Sequence, residues 1–117
     1  MNHALELKVL PVAGRTDAKI LRMEGEFDAS SVENVLEEVT ALFDGGLRHL
    51  IADLGNLHYV NSTGLGVILH FSRTARERGG SFRLCRISQS VYEIIEIIGA
   101  TSLLEIHDTL EDALAAL

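Results

Sequence analysis

The segment His49-Leu50-Ile51-Ala52-Asp53-Leu54 is almost continuously apolar. A half-exposed strand alternates polar and apolar residues, whereas a strand of a parallel sheet covered on both faces reads as an unbroken apolar run. Such a strand needs neighbours at both edges and cover on both faces. The flanking sequence supplies them. Upstream, Leu5, Leu7 and Val9 alternate with Glu6, Lys8 and Leu10, the period of two expected of a strand with one mostly polar face. Pro11 closes this run, a place where an edge strand tolerates a missing N–H. The cluster Gly14-Arg15-Thr16-Asp17 reads as a turn, and Ala18 to Met23 as the hairpin partner strand, leading into Glu24-Gly25-Glu26-Phe27-Asp28.

Helical spacing then takes over. Val32, Val35, Leu36, Val39 and Leu42 form one stripe, Ser30 and Glu33 have capping-box spacing, and Gly45-Gly46 stops the helix. Beyond the apolar strand, Asn61 to Gly79 reads as a second helix, apolar nearly all round in its first half and wetted by Arg73, Arg76, Glu77 and Arg78 in its second. Ser81 to Ile87 is a strand. Ser88 caps a third helix with Val91, Ile94, Ile95 and Ile98 inward and Gly99 as terminator. Leu103 to Ile106 is a short last strand, and Asp108 with Glu111 marks a final helix carrying Leu110, Ala113, Leu114 and Leu117. Helices alternate with strands through short connections, which predicts right-handed crossovers and an α/β fold: a mixed, mainly parallel sheet flanked by about four helices.

At 117 residues the chain is expected to form one domain over 1–117, large enough to fold without a disulfide or metal. Its one cysteine, Cys85, excludes a cysteine-rich zinc site and suits a reducing compartment. With 10 Lys+Arg against 17 Asp+Glu, the net charge of −7 argues against a general grip on nucleic acid or anionic lipid. Met1-Asn2-His3-Ala4 has neither the basic start nor the apolar core of a signal peptide, and no run reaches the ~18 apolar residues of a membrane span. A cytoplasmic location is expected.

The loop leaving the apolar strand carries the chemistry. Ligand and partner sites in such sheets lie beyond the carboxyl ends of strands. Asn61, Ser62 and Thr63 are all N-cap types, so a hydroxyl stands at the positive end of a helix among unpaired N–H groups. Gly64 and Gly66 each cost the helix ~1 kcal/mol relative to alanine, which implies that another element or a partner comes close to the backbone. A phosphate on this hydroxyl would bring about −1.5 to −2 charges where the helix can receive them, so the change would be felt by a partner and not by the core. The plain alternative is an N-cap beside packing glycines.

The residues Ala52-Asp53-Leu54 followed by Tyr59-Val60-Asn61-Ser62-Thr63-Gly64-Leu65-Gly66-Val67-Ile68-Leu69 resemble the signature of STAS domains of the anti-sigma factor antagonist type. Glu24-Gly25-Glu26-Phe27-Asp28 resembles the Gly-Glu-Leu-Asp segment of that family, and the order of elements agrees from about Leu5 to Leu117. The resemblance implies a non-enzymatic regulator without a cofactor. Such domains bind an anti-sigma factor that is also a serine kinase of the GHKL ATPase type and so free a sigma factor. Phosphorylation of the motif serine ends the binding, and a PP2C-like phosphatase restores it. Carried over to this chain, the phosphoacceptor is Ser62, with Thr63 the lesser candidate. The partner surface comprises Glu26, Asp28 and Ser30 with Tyr59, Asn61, Ser62, Thr63, Gly64, Leu65 and Gly66. Asn61 stands where the family usually has aspartate, which keeps a capping side chain but removes a charge beside the acceptor. A STAS module of a stressosome or of a transporter accessory complex is the alternative within the same resemblance.

Other patterns are weaker. His58, Ser62 and Asp53 would make a hydrolase triad, but Val60 stands where a nucleophile elbow has glycine. Gly64-Leu65-Gly66 lacks the Gly-Lys-Ser/Thr of a phosphate loop, and Leu69 replaces the third glycine of a dinucleotide fingerprint. His3, His49, His58, His70 and His107 are scattered without metal-ligand spacing, and are read as surface or strand-end residues. Tyr92 and Ile97 fall off the core stripe of the third helix.

Overall fold

The computed structural model describes residues 4–117; the readings made on Met1 to His3 lie outside them. Five strands form one sheet in the order of the sequence: β1 (Glu6–Val12), β2 (Arg15–Phe27), β3 (His49–Val60), β4 (Ser81–Cys85) and β5 (Glu105–His107). β1 and β2 are an antiparallel hairpin, and every later pair is parallel. Because each parallel strand is added on the same side of the last, right-handed crossovers send every connecting helix to the same face. Accordingly α1 (Val32–Asp44), α2 (Ser62–Glu77) and α3 (Gln89–Ile98) share one core with Leu50, Ala52 and Leu54 of β3. The opposite face, with Ile20, Ile51 and Cys85, is covered by α4 (Leu110–Ala115), through Ala113, Leu110 and Leu114. The unbroken apolar run of β3 is thus explained by helices on both faces, and the expected mixed α/β sheet with four helices is the fold observed. Among the described residues no helix is long and apolar enough to cross a membrane.

Several element ends differ from the sequence reading. The capping box at Ser30 does not form: both the N–H and the hydroxyl of Ser30 donate to Asp28 Oδ1 (2.9 and 2.5 Å), and α1 starts after Ser31 without a side-chain cap. α4 is capped by Thr109, whose Oγ1 accepts from Asp112 N–H at 3.0 Å, and not by Asp108. Ser88 and Gly99 do bound α3, the first accepting from Val91 N–H and the second at φ +81°. Of the apolar residues of α3 only Val91 and Ile95 are buried; Ile94 is half-buried, while Ile97 and Ile98 face solvent. β4 stops at Cys85 and not at Ile87, and the last strand starts at Glu105, after a single 3-10 turn over Thr101–Leu103. β2 and β3 are each longer than their apolar stretches, running to Phe27 and Val60. They form a two-stranded extension of the sheet from Glu24↔Asn56 to Phe27↔Val60.

Candidate functional site

The β2–β3 extension carries the start of α2. Asn61 is extended (φ −94°, ψ 179°), and its Oδ1 accepts from Gly64 N–H at 2.8 Å, the N-cap bond that one of the three polar residues was expected to make. Leu65 N–H donates to Asn61 O and Asn61 N–H to Phe27 O, tying the first turn of α2 to the end of β2. With Asn61 as cap, Ser62 and Thr63 are the first two helical residues, and both are exposed. Among the described residues, neither hydroxyl and neither of their backbone N–H groups has a partner within the protein. No acidic side chain occupies this first turn. The result is a solvent-facing hydroxyl beside unpaired helix N–H donors, an arrangement that can receive an oxyanion.

The two glycines separate into different roles. A Cβ on Gly64 would lie 2.9 Å from Phe27 O, 3.0 Å from Val60 Cγ2 and 3.1 Å from Phe27 Cγ, so another element of the chain is what comes close there. A Cβ on Gly66 would meet nothing within 4 Å. Gly64 and Leu65 are buried and hold α2 on the sheet, whereas Gly66 is on the surface one turn from Ser62. Tyr59, 45% exposed, pairs in register with Glu26. Asp28 accepts two hydrogen bonds from Ser30, and these, the hydroxyl first, hold its carboxyl below the usual range. The surface around Ser62 therefore combines Tyr59, Thr63 and Gly66 with the carboxylates of Glu26 and Asp28.

Asp53 lies apart from this surface. It is 1% exposed on the α4 face of the sheet, and its carboxylate bridges Arg86 Nε (2.8 Å) and Arg22 Nε (3.4 Å) while accepting from Gly55 N–H (3.1 Å). Burial alone would raise its pKa, but the Arg86 guanidinium, the Gly55 N–H and the charges of both arginines together hold it below the usual range. This network was missed in the sequence because Arg22 lies on β2, Asp53 on β3 and Arg86 just past the end of β4, and the three share no spacing. His58 makes no hydrogen bond with Ser62 or Asp53 among the described residues, so the triad is not assembled. Cys85 is fully buried, and burial pushes its thiol up to about 11, leaving it an inert core residue. His49, at the start of β3, shares a hydrogen bond with Ser81 Oγ (2.8 Å), as a strand-end residue would.

Comparison with known proteins decides the family. The STAS domain family model matches residues 10–113, nearly the whole chain. This chain belongs to the STAS domain family. The STAS domain is 33% identical over 94 residues to BtrV of Bordetella bronchiseptica, named as a candidate anti-sigma factor antagonist, with 80% of this chain and 81% of that one covered. It is 28% identical over 99 residues to the anti-sigma F factor antagonist of Paenibacillus polymyxa, covering 84% and 85%. In structure the STAS domain superposes on SpoIIAA of Bacillus in its unphosphorylated form with a TM-score of 0.77 at 22% identity, covering 97% of this chain and 95% of that one. SpoIIAA has also been solved in a phosphorylated form, to which the TM-score is 0.69 at 23% identity, with 97% and 98% covered.

Proposed function

We propose that this STAS domain is an anti-sigma factor antagonist that works by binding, not catalysis. It engages an anti-sigma factor that is also a serine kinase of the GHKL ATPase type, a sigma factor is released, and phosphorylation of Ser62 ends the engagement until a PP2C-like phosphatase removes the phosphate. The observation that carries this reading is the exposed Ser62 hydroxyl at the start of α2, next to unpaired N–H groups and the open backbone at Gly66. Relatives named as anti-sigma factor antagonists support the class of function.

The physical logic is that of a surface switch. A phosphate at Ser62 meets the positive end of α2, so the fold accepts it. A partner packed over Ser62, Thr63 and Gly66 would have to accommodate a bulky dianion and desolvate it. Glu26, Asp28, Ser30, Tyr59 and Asn61 frame that contact, while Gly64 and Leu65 serve it from below by fixing the position of α2. A hundredfold loss of affinity requires only ~2.7 kcal/mol of repulsion and desolvation.

The test is titration calorimetry against an anti-sigma factor kinase purified from the same organism, with phosphosite mapping by mass spectrometry. Ser62→Ala is expected to bind and to accept no phosphate. Ser62→Asp is expected to keep its thermal unfolding transition and lose about a hundredfold in affinity. Equal affinity of wild type and Ser62→Asp, both folded, would refute the switch.

A further inference from the structure

β3 is 12 residues long, yet β4 pairs only with its first part, from His49↔Ser81 to Asp53↔Cys85. At Arg86 the backbone enters the left-handed region (φ +57°) and the chain leaves the sheet, with the guanidinium anchored on Asp53. Residues 55–60 of β3 keep β2 on one side, through Glu24↔Asn56 to Phe27↔Val60. On the other side, among the described residues, no strand follows, and α3 packs against β3. Outside the β2 ladder, and among the described residues, the one hydrogen bond to the backbone of this stretch is from Gly55 N–H to Asp53 Oδ1. Gly55, Asn56, His58 and Tyr59 are exposed, and for Gly55 that exposure is of main chain alone. A register shift opposite Gly25/Glu26 breaks the alternation, so His58 and Tyr59, neighbours in sequence, both face solvent.

We propose that this free edge of β3 receives an extended, lysine- or arginine-bearing segment of a partner protein as an added strand. An unpaired row of N–H and C=O groups is a template for a chain in β conformation. The other edge of the hairpin, β1, carries Pro11, which lacks a donor. The charge favours a basic segment: Glu26 lies across from Tyr59 without an ion-pair partner among the described residues, Asp28 follows, and the chain carries −7 overall. Arg22 and Arg86 sit at the opposite end of the stretch and are engaged by Asp53. Tyr59 offers a ring face to a cation or to the aliphatic stem of a lysine or arginine. The edge ends at Val60, two residues before Ser62, so a segment laid along it reaches the loop that bears the phosphoacceptor. The identity of the partner as the anti-sigma factor rests on the function proposed above; the edge and the chemistry of its occupant do not.

The experiment uses the full chain, labelled with nitrogen-15, and a short peptide of alternating valine and lysine. Saturable binding tighter than roughly 1 mM is expected, with slowed amide exchange confined to residues 55–60. Both are expected to be lost when consecutive peptide amides are N-methylated, which blocks both edges of the peptide strand, or when lysine is replaced by glutamate. Absence of protection at 55–60, protection at β1 instead, or undiminished binding of the N-methylated peptide would each overturn the proposal. The Ser62 switch is read only with the whole partner, so either idea can fail while the other stands.

Discussion

Gly64 and Gly66 occupy the same helix, two residues apart, and the structure predicts opposite responses to the same substitution. Alanine in a helix interior is favoured over glycine by ~1 kcal/mol. At Gly66 the added methyl meets nothing within 4 Å, so Gly66→Ala should realise that gain in full. At Gly64 the methyl falls 2.9 Å from Phe27 O and about as close to the Val60 and Phe27 side chains, at the buried ends of β3 and β2. The carbonyl is main chain and cannot swing away, so α2 must lift off the sheet, an overpacking cost of about 1–3 kcal/mol that exceeds the propensity gain. The two variants should therefore be separated by ~2 kcal/mol, with wild type between them. For a domain of this size that is roughly 8 °C in the midpoint of thermal unfolding. Circular dichroism melts and urea titrations of the three proteins measure it. A Gly64→Ala protein as stable as Gly66→Ala would refute the reasoning, since it would mean that the α2 start is not held against β2. Partner affinity adds a second reading: under the proposed function Gly66→Ala should be more stable yet weaker in binding, because its methyl projects from the partner surface.

Two further predictions follow from the site and its neighbour. Asn61→Ala removes the bond to Gly64 N–H and should destabilise by about 0.5–2 kcal/mol, whereas Asn61→Asp keeps the bond, adds an anion at the helix start and should be at least as stable as wild type in chemical denaturation. Asp53 is held below its ordinary pKa, so the unfolded chain, with a carboxyl near ~3.9, takes up a proton first as pH falls. Its contribution is complete above the unfolded value and is lost as pH drops through the lower folded value. Asp53→Asn should cost about 1–3 kcal/mol at neutral pH, less than a fully buried pair because the arginines are 33% and 45% exposed, and should flatten the acid limb of the stability profile. An acid limb as steep in Asp53→Asn as in wild type would assign it to other carboxylates.

The sequence located the elements wherever burial imposes a period. Val35 and Val39 of α1, Leu65 and Ile68 of α2, and the apolar run of β3 each announced their partners because one face, or both, had to be removed from water. It failed where burial is partial. The second half of β3 was invisible because Leu57 and Val60 are three residues apart, a spacing that a register shift creates and that no strand pattern contains. The starts of α1 and α4 were misread for a different reason: the Ser30 N–H and hydroxyl both donate back to Asp28 and the oxygen accepts nothing from α1, and Thr109 was nearer than Asp108 to the first turn of α4.

The same division holds at the site. The motif from Asn61 to Gly66 could be read from residue types, since a cap, two hydroxyls and two glycines are local chemistry. Which residue caps, which glycine is packed and which is open depended on Phe27, more than thirty residues earlier, and on the length of β2 that brings it there. The Asp53 network and the free edge of β3 were decided by tertiary structure alone. Both arise where β4 turns away at Arg86, a consequence of how far each strand runs, and strand length is set by pairing between segments that are distant in the chain. Local periodicity records which residues leave water; it does not record which backbone groups are left without a neighbour.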